Sequence, residues 1–339
     1  MGPTRWGFCS AGKISHDFLV AMKTLPPEDH QVAAIASREL SRAQKYAQTH
    51  NIPRAYGSYA ELAQDPEVDV VHVGVIHPFH LPSTLLFIEA GKNVLCEKPM
   101  GMNTAEVKVM VRAAREKGVF LMEGVWSRFF PASEKLCSLL KQGTLGEVMV
   151  VHADFGGPQL TIPRCIEKEL GGGGLLDIGI YCVQFACMIF KGEKPESIVA
   201  SGFLHDTGVD KTGSIILNFS GGRQAVLTYT MTIKLPNAAS VSGTKGIIQI
   251  PGFFWCPVQL VVNGKSEEFP LPPPSQQLHY SNSTGLRYEA EHVRQCLLQG
   301  LKESPIMSHA DSELLHSILD EVRRQLGLSY AQDQAYCVL

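Results

Sequence analysis

A lysine in this sequence stands where its side chain could take part in acid–base chemistry. Lys98 follows a short apolar run, residues 93–96, that predicts a buried strand, and Pro99 ends the strand because proline has no N–H for a sheet. Ligands of open α/β sheets bind at the carboxyl ends of the strands, where Lys98 would lie. An ammonium group there could hold the ribose of a nucleotide and lower the pKa of a neighbouring acid. The alternative is a solvated loop lysine.

A second set of candidate residues follows four consecutive glycines at 171–174. The glycines allow the backbone to approach a ligand closely and then start a helix. Asp177 and Tyr181 are four residues apart, so they share one face of that predicted helix. A free phenol titrates near pH ~10, and a nearby ammonium such as Lys98 would lower that value, which makes Tyr181 a candidate base. The alternative is an aspartate favoured by the helix dipole and a core tyrosine.

The N-terminal stretch has the strand–turn–helix order of a dinucleotide-binding loop. Residues 5–9 predict a strand, residues 10–15 a tight turn, and the apolar spacing that follows predicts a helix. Such a turn presents backbone N–H groups to a pyrophosphate. Ser10 and Ser15 replace two glycines of the usual fingerprint, whereas Gly12 is kept at the position where a side chain would block the phosphates. We expect Ser10, Gly12, Lys13 and Ile14 to lie at the cofactor.

The end of the second predicted strand, residues 31–36, favours NADP(H) over NAD(H). The carboxylate that bonds the ribose 2′-OH in NAD enzymes is missing there, and Ser37-Arg38 follows. Arg42 lies one helical turn beyond Arg38, so two guanidinium groups could clasp a 2′-phosphate. The alternative is a pair of solvated surface arginines.

Alternating strands and helices over about the first 125 residues predict a doubly wound parallel sheet. Residues 68–75 are apolar on both faces, as a central parallel strand should be. His77 and His80 follow at the same sheet edge as Gly12 and could pack against the cofactor or direct the helix that follows. His72 is mid-strand, which favours a core histidine.

The second half of the chain predicts one open sheet. Beta-type runs occur at 147–155, 197–204, 213–219, 224–232, 246–250 and 258–262, with glycine-rich turns between several of them. We therefore predict an α/β protein in two domains. Residues 1–125 form a dinucleotide-binding Rossmann domain with a doubly wound parallel sheet. Residues 126–339 form a substrate-binding and dimerisation domain with a large open, mainly antiparallel sheet, and its C-terminal helices pack back on the first domain.

The chain resembles the glucose-fructose oxidoreductase and inositol dehydrogenase family over nearly its whole length. The resemblance depends on the order of three features: a strand, then Glu97-Lys98-Pro99, then a glycine-rich helix start with Asp177-x-x-x-Tyr181. Residues 121–123, 128–133, 181–185 and 241–246, with the Arg38 and Arg42 pair, resemble a branch that oxidises dihydrodiols of aromatic hydrocarbons and aldoses. Many family members carry histidine where this chain has Tyr181, so the predicted base differs from theirs.

The resemblance implies a NADP-dependent dehydrogenase of ring secondary alcohols that takes trans-dihydrodiols to catechols and D-xylose to its lactone. It implies Tyr181 and Lys98 at the chemistry, with Asp177 placing substrate and cofactor, and a homodimer formed through the open sheet. Cofactor contacts implied in addition are Asp177, Glu97, Lys98, His72 and His80. Substrate-pocket residues implied are Trp126, Phe155, Ile178, Trp255 and Tyr280.

Two other functions stay open on the sequence. One is a reductase of the same family that acts on another ring substrate. The other is a non-catalytic, dimeric sensor that binds NADP(H), against which the intact Lys98, Asp177 and Tyr181 speak.

Composition excludes several broad classes. The net charge of −3 gives no basic surface for nucleic acid, and we expect no apolar run that approaches the ~20 residues of a membrane span. The nine scattered cysteines form no Cys-x-x-Cys, which favours reduced thiols in the cytoplasm. The twelve histidines show no spacing typical of metal ligands, so we expect no metal.

Overall fold

The computed structural model describes residues 2–334, and the chain folds into two compact units. Within the described residues, the first unit contains residues 2–101, 106–126 and 271–309. The second contains residues 102–105, 127–270 and 310–334. The sequence places a boundary between residues 125 and 126. In the structure the chain leaves the first unit after Trp126, and residues 271–309 return to it.

A six-stranded parallel sheet forms the centre of the first unit, which confirms the predicted Rossmann arrangement. Its strands are β1 (Thr4–Cys9), β2 (His30–Ala36), β3 (Arg54–Tyr56), β4 (Val70–Val73), β5 (Asn93–Glu97) and β6 (Leu121–Gly124). The spatial order is β3-β2-β1-β4-β5-β6, so the winding direction reverses between β1 and β4. Ligands of doubly wound sheets bind outside the strand ends at such a reversal.

Helices connect these strands and cover the sheet. They are α1 (Lys13–Met22), α2 (Leu40–His50), α3 (Tyr59–Ala63), α4 (His80–Glu89), α5 (Thr104–Lys117) and α9 (Leu286–Leu298), of which α5 begins in the second unit. The four residues of β4 are all buried because helices cover both faces of a parallel sheet. The core beneath them combines strand valines with aliphatic side chains of α4 and α5, such as Ile88 and Met110.

The second unit is built on an eight-stranded mixed sheet, which confirms the predicted second, mainly antiparallel sheet. Its strands are β7 (Val148–Gly156), β8 (Ser197–Leu204), β9 (Asp210–Phe219), β10 (Arg223–Thr230), β11 (Ala239–Gly243), β12 (Gly246–Ile250), β13 (Gln259–Val262) and β14 (Lys265–Glu268). The order is β14-β13-β12-β11-β7-β10-β9-β8, and only the β7–β10 pair is parallel. The sequence analysis missed two of these strands: β11, and β14, which follows β13 through the Asn263-Gly264 turn.

Helices of the second unit include the segment with the four glycines. They are α6 (Pro131–Lys141), α7 (Pro163–Ile166), α8 (Ile180–Ile189), α10 (His309–Leu326) and α11 (Ala331–Gln334). Residues Leu175–Gly179 form a π-helical turn ahead of α8, where the sequence predicts a continuous α-helix. The run Lys168–Ile189 has the length and mean hydropathy (1.5) of a membrane span. The prediction that no apolar run approaches this length was therefore wrong. In this run 94% of the most apolar window is buried, which is typical of a core helix.

Among the described residues, the eight cysteines are all free, and Cys137 is the exposed one. Cys337 lies outside the described residues. The described part of the chain ends with the short helix α11.

Candidate active site

The turn after β1 has the geometry of a phosphate-binding loop. Ser10 has φ of +108°, a conformation that L-residues rarely adopt and that the usual glycine would adopt without strain. Its N–H donates to Ala36 O at 3.0 Å, which ties the turn to β2. Gly12 precedes α1 in extended conformation, and no side chain caps the helix. The N–H groups of the first turn of α1 are therefore suited to the pyrophosphate of a nicotinamide dinucleotide.

Arg42 holds this turn from α2. Its Nε and Nη2 atoms donate to Ala11 O at 3.1 and 2.8 Å, and Tyr46 donates its hydroxyl to Gly12 O at 3.2 Å. Arg38 is exposed at the end of β2. Arg42 is also exposed at the surface, but its guanidinium is bonded to the turn. The prediction that the two guanidinium groups clasp a 2′-phosphate stays a prediction.

Lys98 lies immediately beyond β5, as predicted, and is half-buried. The peptide bond between Lys98 and Pro99 is cis. His80, at the start of α4, contacts Pro99 O through Nδ1 at 2.6 Å and Val75 O through Nε2 at 2.9 Å. His80 is fully buried, and burial lowers its pKa while both carbonyls oppose that shift. His80 thus joins the Lys98 turn to the end of β4.

His72 and Glu97 form a buried pair behind Lys98. The Nε2 atom of His72 is 3.0 Å from Glu97 Oε1, and the ring lies 4.5 Å from that of Phe18 between centroids. His72 is fully buried and Glu97 is 8% exposed. This environment favours the interpretation of His72 as a core histidine, whose ring orients the Glu97 carboxylate from inside the sheet. His77 is 8% exposed and its ring lies 5.8 Å from that of His80.

A buried carboxyl group lies close to this pair. Glu289, on α9, is fully buried, and burial together with the negative charge of Glu97 raises its pKa well above the ordinary value. A Cβ atom at Gly124 would lie 3.3 Å from Glu97 Cα and 3.6 Å from Glu289 Oε1. The end of β5 therefore packs tightly from both sides, which limits the positions open to Lys98.

In the second unit, two hydrogen bonds fix the glycine stretch. Asp210 accepts the Leu175 N–H through Oδ2 at 2.6 Å, and Tyr330 donates its hydroxyl to Gly172 O at 2.5 Å. Gly173 has φ of +134°, and a Cβ atom there would lie 2.6 Å from both Asp210 Oδ1 and the Tyr330 oxygen. Only glycine fits this position without strain.

Asp177 lies in the π-helical turn and is paired from α7. Its Oδ1 accepts Arg164 Nη1 at 3.1 Å, and the Cys165 thiol donates to Oδ2 at 3.5 Å. Asp177 is 6% exposed, whereas the Arg164 side chain is 36% exposed. Sequence reasoning missed Arg164, because an arginine thirteen residues before Asp177 gives no local signal of this contact.

Tyr181 contacts a pair of stacked aromatic rings. Phe155 and Trp255 stack with centroids 3.6 Å apart and 8° between planes. The Tyr181 ring is tilted, 5.8 Å from Phe155 and 6.4 Å from Trp255. The Ser127 hydroxyl donates to Trp255 O and thereby fixes the main chain at Trp255. Ile178 is buried nearby in the chain, at 3% exposure.

Two of the predicted pocket residues, Trp126 and Tyr280, belong to the first unit. Trp126 is 6% exposed and Tyr280 is 39% exposed. The Tyr280 N–H donates to Asp17 Oδ2 at 2.9 Å, so α1 holds the loop that carries this tyrosine.

The structure also brings together His16, Asp17 and His279. The spacing of histidines in the sequence gives no sign of this group, because His279 is far from the other two along the chain. Their ligand atoms lie within 4.8 Å of one another. The Asp17 oxygens already accept the N–H groups of His279 and Tyr280 and the Ser283 hydroxyl. We therefore interpret this group as a hydrogen-bonded connection between α1 and the 279–283 loop.

His50 extends this connection through the His16 ring. Gln277 O accepts from His16 Nε2 at 2.9 Å, so in the neutral ring His16 Nδ1 accepts from His50 Nε2 at 3.1 Å. Burial, assisted by the charge of Lys23, lowers the pKa of His50 to about 4 and keeps that ring neutral near pH 7.

Known proteins resemble this chain over nearly its whole length. Residues 4–125 match an oxidoreductase family with an NAD-binding Rossmann fold, and residues 134–249 match the GFO/IDH/MocA C-terminal domain. The trans-1,2-dihydrobenzene-1,2-diol dehydrogenase of Danio rerio is 60% identical over 97% of this chain and 98% of its own. The enzyme of that name from Xenopus laevis is 58% identical over 96% of this chain and 99% of its own. That of Homo sapiens is 51% identical over 97% of this chain and 99% of its own.

Solved structures also resemble this chain over nearly its whole length. An aldose-aldose oxidoreductase from Caulobacter crescentus, complexed with glycerol, is 25% identical with a TM-score of 0.80, over 95% of this chain and 97% of its own. The 3-ketoreductase KijD10 from Actinomadura kijaniata, in complex with NADP, is 27% identical with a TM-score of 0.79, over 96% and 98%.

Replacement of Gly173 by alanine should destabilise the second unit. The positive φ and the two 2.6 Å contacts force the loop to shift, at a cost of about 2–3 kcal/mol. Urea unfolding measures the change, with Gly157→Ala as control because a Cβ atom at Gly157 meets nothing within 4 Å. Equal free energies of unfolding for the two variants would contradict the assigned role of Gly173.

Proposed function

The chain belongs to the GFO/IDH/MocA oxidoreductase family, and from this membership we propose that it is a NADP-dependent dehydrogenase of ring secondary alcohols. The proposed substrates are trans-dihydrodiols of aromatic hydrocarbons and aldoses such as D-xylose. The environment of Tyr181 supports this proposal most directly: its phenol is nearly buried, lies against flat aromatic rings, and stands on the same helix start as Asp177. Relatives 51–60% identical are named as dehydrogenases of trans-1,2-dihydrobenzene-1,2-diol.

In the proposed reaction, the phenolate of Tyr181 takes the hydroxyl proton of the alcohol as the C=O bond forms. A bound nicotinamide supplies the acceptor for the hydride that leaves the same carbon. Lys98 provides a positive charge that favours the phenolate over the phenol. Asp177, fixed by Arg164 and Cys165, orients a substrate hydroxyl. A cyclic dihydrodiol becomes a hydroxyketone that tautomerises to a catechol, whereas a pyranose oxidised at its anomeric carbon becomes a lactone.

The chemistry of Tyr181 and Lys98 is tested by Tyr181→Phe and Lys98→Met. Each variant should lose about 10²–10⁴-fold in turnover with D-xylose and NADP⁺, as expected when a general base or its charge partner is removed. The absorbance of the reduced nicotinamide measures the rate. Lys141→Met, at an exposed lysine of α6, serves as the control. Turnover close to that of the unmodified protein would remove the altered residue from the chemistry, and a double variant no slower than the slower single one would support action in one step.

The selection of NADP over NAD is proposed to depend on Arg38. Its guanidinium is exposed beside the phosphate-binding turn, and the 27% identical 3-ketoreductase is described in complex with NADP. A charge-assisted hydrogen bond is worth about 1.5–3 kcal/mol, so Arg38→Ala should raise KM for NADP⁺ by about 10–100-fold and leave that for NAD⁺ nearly unchanged. Lys45→Ala, also exposed on α2, is the control. An unaltered ratio of the two KM values would show that Arg38 does not read the 2′-phosphate.

A ketone reductase of a different ring substrate is the second candidate, favoured by the likeness to a 3-ketoreductase. Initial rates in both directions, with the diol and NADP⁺ and with a cyclic hydroxyketone and NADPH, separate the two.

We also propose that the chain forms a homodimer through the open face of the second sheet. One row of paired residues crosses this face: Val199, Ile216, Val226, His152, Ser240, Gln249 and Val261. None of them is buried, whereas the neighbouring row from Leu217 to Ile248 is buried. The exposed row contains no acidic residue, lysine or arginine, and such an uncharged surface is compatible with a second copy of itself.

Sedimentation velocity tests the proposed dimer. Val226→Asp places a charge in the middle of the row, and a charge that is buried without a partner disfavours association. The variant should sediment as a monomer, whereas Gln48→Asp on exposed α2 should not change the oligomeric state. A dimer that persists unchanged in the Val226→Asp variant would exclude this face.

A further inference from the structure

Phe253 has a backbone conformation that is unusual for a bulky residue. It follows β12 after Pro251 and Gly252, and its φ is +42°, in the left-handed region that favours glycine. Its side chain is 40% exposed, so burial of the ring does not offset the strain. Strained residues of this kind persist where surrounding contacts determine the conformation, and they cluster at ligand-binding sites.

The contacts that hold Phe253 in place come from its neighbours in the chain. Cys256 donates its N–H to Phe253 O at 2.8 Å, which closes a tight turn, and Phe254 donates to Asn237 O at 3.2 Å. The Asn237 N–H donates to Asp154 Oδ1 at 2.6 Å, so the turn is connected to β7. Phe254 is 2% exposed and packs edge to face against Phe185. The buried Phe254 therefore anchors the turn, while the ring of Phe253 stays exposed.

The exposed ring continues the aromatic stack beside Tyr181. Phe253 meets Trp255 edge to face, with centroids 5.4 Å apart and 66° between planes. Trp255 in turn stacks on Phe155, and the Tyr181 ring lies beside both. Exposure falls from 40% at Phe253 to 9% at Trp255 and Phe155 and 8% at Tyr181. The rings thus form a series from solvent to the proposed base, with Phe253 at its outer end.

We propose that Phe253 determines specificity: its exposed ring contacts flat, unsaturated ring substrates and favours dihydrodiols and catechols over aldoses. Aromatic pairs gain attraction through edge-to-face or offset contact beyond the area that they bury. A pyranose has no π system and carries hydroxyl groups around its ring. Contact with the Phe253 ring therefore contributes less binding free energy to a pyranose and leaves its hydroxyl groups without hydrogen-bond partners. This inference rests on the proposed function, because it assigns a ligand class to the site that contains Tyr181.

Calorimetric titration of the protein saturated with NADPH tests the proposal, with catechol and D-xylose as probes, because the reduced nicotinamide accepts no hydride and neither probe is oxidised during the titration. In Phe253→Asn the ring is removed while the turn can persist, since asparagine tolerates the left-handed conformation. We expect the catechol affinity to fall about 5–10-fold and the D-xylose affinity to change less than about twofold. Phe253→Tyr should restore catechol binding, and Ile306→Ala, at an exposed apolar residue of the first unit, should alter neither affinity. Unchanged catechol affinity in Phe253→Asn, or equal losses for both probes, would overturn the proposal.

Turnover separates this inference from the proposed function. If the unmodified protein forms no reduced nicotinamide with either substrate, the proposed function fails, while the catechol titration still decides the role of Phe253. If it does turn over and Phe253→Asn keeps the same ratio of kcat/KM for dihydrodiol and D-xylose, the inference about Phe253 alone is wrong. Sedimentation of Phe253→Asn gives a further check: altered association with unchanged catechol affinity would make Phe253 a subunit contact and overturn the proposal.

Discussion

The hydrogen bond from the Leu175 N–H to Asp210 fixes the point from which the candidate base is presented. Leu175 begins the π-helical turn, so its position sets those of Asp177 and Tyr181 further along the same helical segment. Asp210 is fully buried, and burial raises the pKa of its carboxyl group. A buried carboxyl group that lost this donor would carry an unpaired polar atom, which costs more free energy than an ordinary hydrogen bond gains. The helix start therefore has few alternative positions.

The same constraint joins distant parts of the chain. The Tyr330 hydroxyl reaches the glycine stretch from the C-terminal segment, and Arg323 holds that segment by bonding Asp333 through both Nη atoms. Glycine is the only residue type that fits at position 173 without strain, because the oxygen atoms of Asp210 and Tyr330 each lie 2.6 Å from the position that a Cβ atom would take. A glycine that seems to serve ligand approach thus also serves the packing of two buried polar side chains. The two roles are compatible, since a fixed loop presents its backbone in one conformation.

Sequence reasoning recovered the elements whose signals are local. The strand before Lys98, the turn around Gly12 and the glycine stretch before Tyr181 each depend on neighbouring residues, and the structure contains all three. It did not anticipate that Arg42 donates to Ala11 O, that Arg164 pairs with Asp177, or that Tyr330 reaches Gly172. These contacts join residues 13 to 158 positions apart, and neither periodicity nor composition carries information on such pairs. The π-helical turn was missed for another reason: its sequence is as apolar as that of an α-helix, so the pattern of residues does not distinguish the two.

Two residues with positive φ show how strain relates to the sites in this chain. Ser10 and Phe253 both occupy conformations that glycine would adopt at lower cost, with φ of +108° and +42°. Ser10 is held by its bond to Ala36 O, and Phe253 by the turn bond from Cys256. In each case glycine would relieve the strain but remove a side chain beside a candidate binding surface: a hydroxyl at the phosphate turn and a ring at the aromatic stack. Positive φ alone does not mark a site, because Asn51 and Lys191 also have it. At Gly173 a side chain would collide with buried oxygen atoms, so glycine is required there.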